Sequence, residues 1–370
     1  MIPFAALSIV YIIFLLWIRR HWLGVTDRSA EAVAHHQTFS VLVPVRNEAG
    51  TIAVLLRNLK DQTFPEDQYE VIVIDDQSED TTSEIVEQFI TSNELSWKLI
   101  QVQETEQGGK KQALTRGVSV ASNDYIITVD GDCEVQADFI KSYAAAYSTE
   151  DLAMISGPVA MKGDGLFMNL QSFEFSGLIA IGAATLHSGN PTMCNGANLS
   201  YKKEVFEQVR GYQGNEDIPS GDDEFLLQKV HKVYPDRVGF LKHQQAIVYT
   251  EAKDTLVQLL SQRIRWSSKW RFHKSLFIKC MAMTVFLNYV ALLVALFSLA
   301  ELESVFVFGT ILALRTLVLW YFYYPITQFF QIKDVLWKSL LIEIIYPFFV
   351  IFLGIASIFG KYSWKGRYYS

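Results

Sequence analysis

Two carboxylates one residue apart sit in the run Val129-Asp130-Gly131-Asp132-Cys133-Glu134. Hard oxygen ligands at that spacing suit Mg²⁺ or Mn²⁺ held against a diphosphate; the same residues also fit a polar turn built on a glycine. Gln107-Gly-Gly-Lys-Lys111 offers two glycines and two lysines. It departs from the phosphate-loop pattern in its glycine spacing and in lacking Ser or Thr after the lysine. As the opening of a helix it still presents an N-terminus and Lys110 to an anion, and its other reading is a solvated turn. Ser220-Gly-Asp-Asp-Glu224 precedes Phe225, Leu226 and Leu227, so its acids are either partners of a helix dipole or a general base. Gln262-Arg-Ile-Arg-Trp266 lies where Leu256, Leu259, Leu260 and Ile264 form one stripe and Arg263, Arg265, Lys269, Arg271 and Lys274 supply charge. That pattern predicts a helix resting on anionic headgroups. It leaves Gln262, and Trp266 beside Arg265, without a reason.

These residues need a frame. Ser40–Val45 is a β-branched run ending at Arg46-Asn47-Glu48, and Thr51–Leu59 has helical spacing with Ile52, Leu55, Leu56 and Leu59 on one face. Val71–Ile74 is a buried strand ending in Asp75-Asp76, with a helix over Thr81–Ile90 behind the cap-like Ser78 and Asp80. Lys98–Val102 reads as a third strand, Lys111–Val120 as a helix and Tyr125–Val129 as a fourth strand ending at Asp130. Strands alternating with helices imply a parallel, doubly wound α/β sheet. Ligands of such sheets bind outside the carboxyl ends of the strands, where Asn47/Glu48, Asp75/Asp76 and Asp130/Asp132 converge. A nucleotide-type site is expected there.

The chain has 370 residues, room for about two domains. Half of it is hydrophobic, 19% is charged and the mean hydropathy is +0.18. Soluble domains carry about 25% charged residues, so part of this chain is expected in lipid. The net charge of −7 excludes nucleic acid as a partner. Cys133, Cys194 and Cys280 form neither a disulfide framework nor a metal motif, which implies a reducing compartment. Ile2–Ile18 is long enough to span a bilayer, and Arg19, Arg20 and His21 follow it, with Trp17 and Trp22 at its end. Charges after the run rather than before it argue for a retained anchor with a cytoplasmic C-terminal side. Further apolar stretches cover about Phe277–Ala300, Val305–Tyr324 and Val335–Phe359. Glu301 and Glu303 fit an outside loop and Lys333 and Lys338 an inside one. Lys361, Lys365 and Arg367 conflict with a tail placed outside by four crossings, so one stretch is re-entrant or the rule is broken. Arg315 and Glu343 inside apolar stretches are either functional, or else pair with each other or snorkel. Gly165–Leu186, interrupted by Asn169, Gln171, Ser172 and Glu174, is expected as an amphipathic interfacial helix. The resulting plan is an anchor at 1–22, a catalytic domain at 38–250, an interfacial segment at 251–276, three membrane or re-entrant helices at 277–360 and a basic tail at 361–370.

In their order, these motifs resemble the membrane-integrated family-2 glycosyltransferases over nearly the whole chain. Val41-Leu-Val-Pro44-Val45-Arg-Asn-Glu48 is similar to the first strand and loop, which bracket nucleobase and ribose. Asp75-Asp76-Gln-Ser78 resembles the acidic pair that reads uracil and ribose, and Gly109-Lys110 with Ala113-Leu114 the helix start near the donor phosphates. Asp130-Gly-Asp132 resembles the D-x-D metal site, Gly196-Ala-Asn198-Leu-Ser-Tyr-Lys-Lys203 the acceptor side, Asp222-Asp223 the pair that supplies the base, and Gln262-x-x-Arg265-Trp266 the Q-x-x-R-W signature. Arg46 stands where relatives often carry an aromatic residue. The resemblance implies a GT-A fold with a Rossmann-like sheet, a UDP-sugar donor, Mg²⁺ or Mn²⁺ on Asp132 and Asp130, and Asp223 as the base of an inverting hexosyltransferase. Donor contacts would come from Pro44, Val45, Glu48, Asp75, Asp76, Lys110, Asp130, Gln262, Arg265 and Trp266, and acceptor contacts from Gly196, Asn198 and Trp266. It implies an integral protein of a bacterial cell membrane with its catalytic domain in the cytoplasm. The acceptor is expected to be a membrane lipid glycosylated once. A processive polysaccharide synthase and a donor-binding pseudoenzyme scaffold are the alternatives.

Overall fold

The computed structural model describes residues 1–26, 37–102, 109–215, 221–268, 275–299, 301–359, 362–364 and 367–369. Contacts divide the chain into a sheet unit, 25–162 with 185–251, and a helical unit, 1–24 with 163–184 and 252–370. Helix Gly165–His187 therefore groups mainly with the apolar helices, where a continuous 38–250 domain was expected.

In the sheet unit the strands are β1 (Phe39–Val45), β2 (Tyr69–Asp75), β3 (Lys98–Gln101), β4 (Tyr125–Thr128), β5 (Cys133–Glu134), β6 (Met154–Ser156), β7 (Val159–Lys162), β8 (Leu199–Lys202), β9 (Val238–Phe240) and β10 (Val248–Glu251). Seven of them form one sheet in the order β3-β2-β1-β4-β8-β6-β9. β3, β2, β1 and β4 run parallel, with Val41 opposite both Val71 and Ile127. Their β-branched residues are buried on both faces, as sheets covered by helices require. β8 then pairs antiparallel with β4 and β6, so the sheet is mixed and not wholly parallel as expected. The reason lies beyond β4: β8 is reached through the long Gly165–His187 helix rather than by a short crossover. β5, β10 and β7 make a second, three-stranded sheet.

The expected helices at 51–59, 81–90 and 111–120 are found at Ile52–Lys60, Thr82–Ser92 and Lys110–Val120. Ser78 and Asp80 do not occupy the cap position, which is Thr81, yet Asp80 Oδ1 accepts the Thr82 N–H at 3.0 Å. Gly117 allows the helix Lys110–Val120 to approach the sheet, for a Cβ there would lie 3.0 Å from Ile74 Cδ1 and 3.1 Å from Leu42 Cδ1.

In the helical unit, four helices among the described residues are long and apolar enough to cross a membrane: Ile2–Gly24, Leu276–Phe297, Leu302–Phe330 and Val335–Ala356. All four meet at Arg315, which has no exposure. Its guanidinium donates to Glu343 Oε2 at 3.2 and 3.0 Å, to Asn288 Oδ1 at 2.6 Å and to Ser8 Oγ at 3.2 Å. Arg315 and Glu343 are thus partners, the second of the two expected readings. Tyr11 and Tyr289 join their hydroxyls at 2.9 Å, and Arg19 Nε donates to the Tyr321 carbonyl at 3.0 Å.

Two expectations need correction. Helix Gly165–His187 is buried or half-buried all round from 171 to 186, so it is an inside helix and not an amphipathic one. Its polar residues are tolerated because Gln171, Glu174 and Ser176 find partners. The helix Leu256–Ser268 buries Leu259 and Arg263 and leaves Leu256 exposed, so Arg263 does not belong to a charged outer face. Lys269, Arg271 and Lys274 lie outside the described residues. The tail contains a short antiparallel hairpin, Tyr362–Trp364 with Arg367–Tyr369, that its composition did not announce.

Candidate active site

The carboxyl ends of β1, β2 and β4 gather the expected groups. β1 runs out through Pro44 and Val45 into Asn47, whose left-handed backbone (φ 53°) turns the chain. Glu48 follows, with its N–H on Thr82 Oγ1 at 2.8 Å and its carboxylate accepting from Thr51 Oγ1 at 3.1 Å. Arg46 donates to the carbonyls of Asp76 (2.8 Å) and Gln77 and pairs with Glu79 at 2.7 Å. In place of a stacking ring, this position carries a clamp on the loop after β2. No sequence signal announced that.

Asp75 and Asp76 are both buried but differ in use. Asp75 accepts from Ser78 N–H at 2.9 Å, Ser78 Oγ at 2.6 Å and Ser83 Oγ, so it organises its own loop. Asp76 Oδ1 accepts the N–H of Gly109, φ 137°, which begins the Lys110–Val120 helix. Gln107 and Gly108 lie outside the described residues.

Lys110 is the hub. Its Nζ lies 2.5 Å from Asp130 Oδ1 and 3.6 Å from Asp222 Oδ2. Burial alone would push this amine down, but Asp130, then Asp222 and Asp223, outweigh it and hold Lys110 above the usual lysine range. It therefore stays cationic. Gly196 fills the remaining space, since a Cβ there would stand 3.1 Å from Asp222 Oδ2 and 3.2 Å from Lys110 Nζ.

Asp223 is held by backbone. Gly196 N–H donates to its Oδ2 at 3.0 Å and Glu224 N–H to its Oδ1 at 2.8 Å. The Gly196 carbonyl in turn accepts from Thr128 Oγ1 at 2.8 Å, at the end of β4. Thr128, unmarked in the sequence, thus ties the Asp223 loop to the strand that delivers Asp130. Asp222 and Asp223 open the helix Asp222–Val233 behind Gly221, whose φ of 82° is left-handed.

Asp130 and Asp132 are half-buried on either side of Gly131, where a Cβ would meet Val45 Cγ1 at 2.7 Å. That close approach presses the acidic turn onto the end of β1. Cys133 beside it donates to Asp132 Oδ1 at 3.7 Å. Burial first, then Asp132 and Asp130, push its thiol up. Among the described residues no three acid, His or Cys groups gather to hold a metal by themselves. The two hard carboxylates of Asp130 and Asp132 fit a divalent ion that takes its other ligands from a phosphate and water.

Asn198 is fully buried, accepts from the Tyr143 hydroxyl at 2.7 Å and donates to the carbonyls of Pro158 (2.7 Å) and Ala246 (2.8 Å). Its amide thus serves as a strut between segments. Gln262, Arg265 and Trp266 stand on the helix Leu256–Ser268 of the helical unit, where Trp266 packs 5.6 Å from the Phe175 ring.

Comparison with known proteins agrees with this geometry. A solved structure with TM-score 0.62 and 18% identity, covering 93% of this chain and 97% of its own, is the mannosyltransferase PcManGT of Pyrobaculum calidifontis in complex with GDP-Man and Mn²⁺. The two share the fold. Among curated proteins, the poly-β-1,6-N-acetyl-D-glucosamine synthase of Staphylococcus epidermidis is 25% identical over 65% of this chain and 57% of its own length. The β-monoglucosyldiacylglycerol synthase of Trichormus variabilis is 24% identical over 62% and 48%. The glycosyltransferase AglE of Haloferax volcanii is 34% identical over 32% and 38%. The chain thus matches between about two fifths and three fifths of the length of these curated relatives. The family model "Glycosyl transferase family 2" matches residues 40–210. Residues 40–210, with β1, β2, β4 and the acidic turn, are a glycosyl transferase family 2 domain.

Proposed function

We propose that this chain is an inverting hexosyltransferase, moving a sugar from a nucleotide sugar, with uridine as the base, to a lipid acceptor in a membrane that its apolar helices span. The observation that supports this most is the cluster of Lys110, Asp130, Asp222 and Asp223 around Gly196, at the carboxyl ends of parallel strands. A lysine held cationic between acids offers positive charge to a diphosphate. A carboxylate fixed by two N–H groups is placed to act as base.

In this reading Asp223 takes the proton of an acceptor hydroxyl. The hydroxyl oxygen forms its bond to the anomeric carbon as the sugar–phosphate bond breaks on the opposite face, and the electron pair leaves with the nucleoside diphosphate. Lys110 meets the negative charge growing on that leaving group. A bound Mg²⁺ or Mn²⁺ would add Lewis-acid stabilisation of the same charge, and Asp132 with Asp130 would hold it. Asp76, through Gly109, aligns the helix that bears Lys110, and Arg46 steadies the loop beside it. Gln262, Arg265 and Trp266 enter this reading by the resemblance alone.

The lipid acceptor is favoured by the four apolar helices, a small set for lining a polymer channel, and by the exposed Leu256 and Val257 on the Q-x-x-R-W helix. The test is nucleoside-diphosphate release by the purified protein from a panel of UDP- and GDP-sugars with Mn²⁺ or Mg²⁺, with and without membrane lipid. Lipid-dependent release with an organic-extractable labelled product supports the reading. Release without lipid, giving a large water-soluble product, replaces it with a polysaccharide synthase. Donor binding with no turnover replaces it with a scaffold.

A further inference from the structure

The helix Leu256–Ser268 carries Gln262, Arg265 and Trp266, and the face it buries consists of Leu259 and Arg263. Arg263 is only 4% exposed. Its Nη2 donates to Glu174 Oε2 at 2.5 Å, and the other Glu174 oxygen accepts from the Tyr346 hydroxyl at 2.8 Å. The guanidinium lies over the Trp266 ring, 4.4 Å from its centroid, and 5.7 Å from the Phe175 ring. Gln171 adds a two-way grip, donating to the Lys253 carbonyl at 2.8 Å and accepting the Lys253 N–H at 2.9 Å. Gln171, Glu174 and Phe175 are spaced i, i+3, i+4, so one face of the Gly165–His187 helix holds the segment 253–266.

Stability does not explain the choice of residues. Nε and Nη1 of Arg263 are buried with no hydrogen-bond partner among the described residues, and such orphan donors destabilise. Apolar side chains of similar volume hold two elements together as well as a buried ion pair, or better. What apolar contact lacks is direction. A carboxylate fixes where the guanidinium lies, and the guanidinium fixes the plane of the indole beneath it.

We propose that Glu174 is a positioning residue: through Arg263 it sets the rotation of the helix bearing Gln262 and Arg265 and the plane of Trp266, and thereby the rate of transfer. The activity arm of the test rests on the glycosyltransferase reading above; the structural arm does not.

The test uses the full-length protein in lipid nanodiscs, as wild type, Glu174→Gln and the double variant Glu174→Leu/Arg263→Met. Three quantities are read: melting temperature, amide hydrogen exchange across 256–268, and kcat with the donor KM. Displacing a positioned group by about 1 Å costs on the order of 10²-fold in rate. The double variant is expected to melt like wild type, yet to exchange at least about tenfold faster across 256–268 and to lose about 10²-fold in kcat at unchanged donor KM. Glu174→Gln keeps the shape but leaves the buried guanidinium without its carboxylate, so it is expected to lower the melting temperature and to lose about tenfold in kcat in the folded fraction. A double variant that melts, exchanges and turns over like wild type overturns the proposal, and so does wild-type kcat in Glu174→Gln. Were wild type itself inactive on every donor, the enzymatic reading would fail while exchange still decided the positioning role.

Discussion

Arg315 offers a sharp test because one side chain joins all four apolar helices. Arg315→Met leaves Glu343 buried and charged, with Oε1 already unpartnered, and strips the acceptors Ser8 and Asn288 of their donor. Breaking a buried pair by removing one partner costs about 3–5 kcal/mol. At about 1.4 kcal/mol per decade, that is roughly 10²–10⁴ in the unfolding constant. Glu343→Leu leaves the guanidinium with two of its four bonds and carries a cost of about the same size. The double variant Arg315→Met/Glu343→Leu has no buried charge. It loses only the bonds to Ser8 and Asn288, each worth about 0.6 kcal/mol in a membrane setting. The double is therefore expected within about 1–2 kcal/mol of wild type, far above the sum of the singles. Reversible unfolding in mixed micelles, followed by circular dichroism, gives the three values. Singles that add to the double within about 0.5 kcal/mol would refute the reasoning, because independent sites behave that way.

Asp223→Asn keeps a carbonyl for one of its two backbone donors and loses the base, so turnover is expected to fall about 10²–10⁴-fold, or roughly 3–5 kcal/mol of barrier, while nucleotide affinity holds; normal turnover in a folded variant removes Asp223 from the mechanism. Asn198→Ala leaves the Tyr143 hydroxyl and the carbonyls of Pro158 and Ala246 without their partner, so it should lower the melting temperature and leave the acceptor KM of the folded fraction alone. A raised acceptor KM at unchanged stability would return Asn198 to the acceptor side. Burial works to raise the Glu70 carboxyl, but Lys98, Ser40 and the Ser122 N–H outweigh it and hold it below the usual range. Its contribution to stability is then complete above the unfolded-state value of about 4.3 and is lost as pH falls through the lower folded value. Glu70→Gln should show a flatter fall of stability between neutral and acid pH in thermal melts, and an unaltered slope would contradict the assignment. Chelation with EDTA should abolish transfer and readdition of Mn²⁺ or Mg²⁺ restore it, whereas Asp132→Asn should require a higher metal concentration for half-maximal rate.

Local pattern made the strand-end half of the candidate site legible. Strands β1, β2 and β4 announce themselves by β-branched runs, and their acidic ends follow from the chain's own order. The rest depends on contacts between residues far apart in sequence. Asn198 looks like an available amide until Tyr143, Pro158 and Ala246 are seen around it. Arg263 reads as one more surface cation because its partner, Glu174, lies 89 residues earlier in another helix. The Gly165–His187 helix has polar interruptions that mimic an interfacial pattern, and only its buried partners distinguish it from one. Thr128 and Arg46 act through hydrogen bonds to backbone, which leave no trace in composition.

The bond between Arg315 and Ser8 spans 307 residues. Chains are synthesised at about 5–20 residues per second, so the first helix is made about 15–60 s before its partner exists. During that interval Ser8 and Tyr11 have neither Arg315 nor Tyr289 to meet, and the whole sheet unit has time to fold. The sheet unit is therefore delivered by the ribosome before the helix bundle closes. Closure waits on the last two helices, and a chain truncated before Glu343 would leave the guanidinium of Arg315 without its carboxylate among apolar side chains.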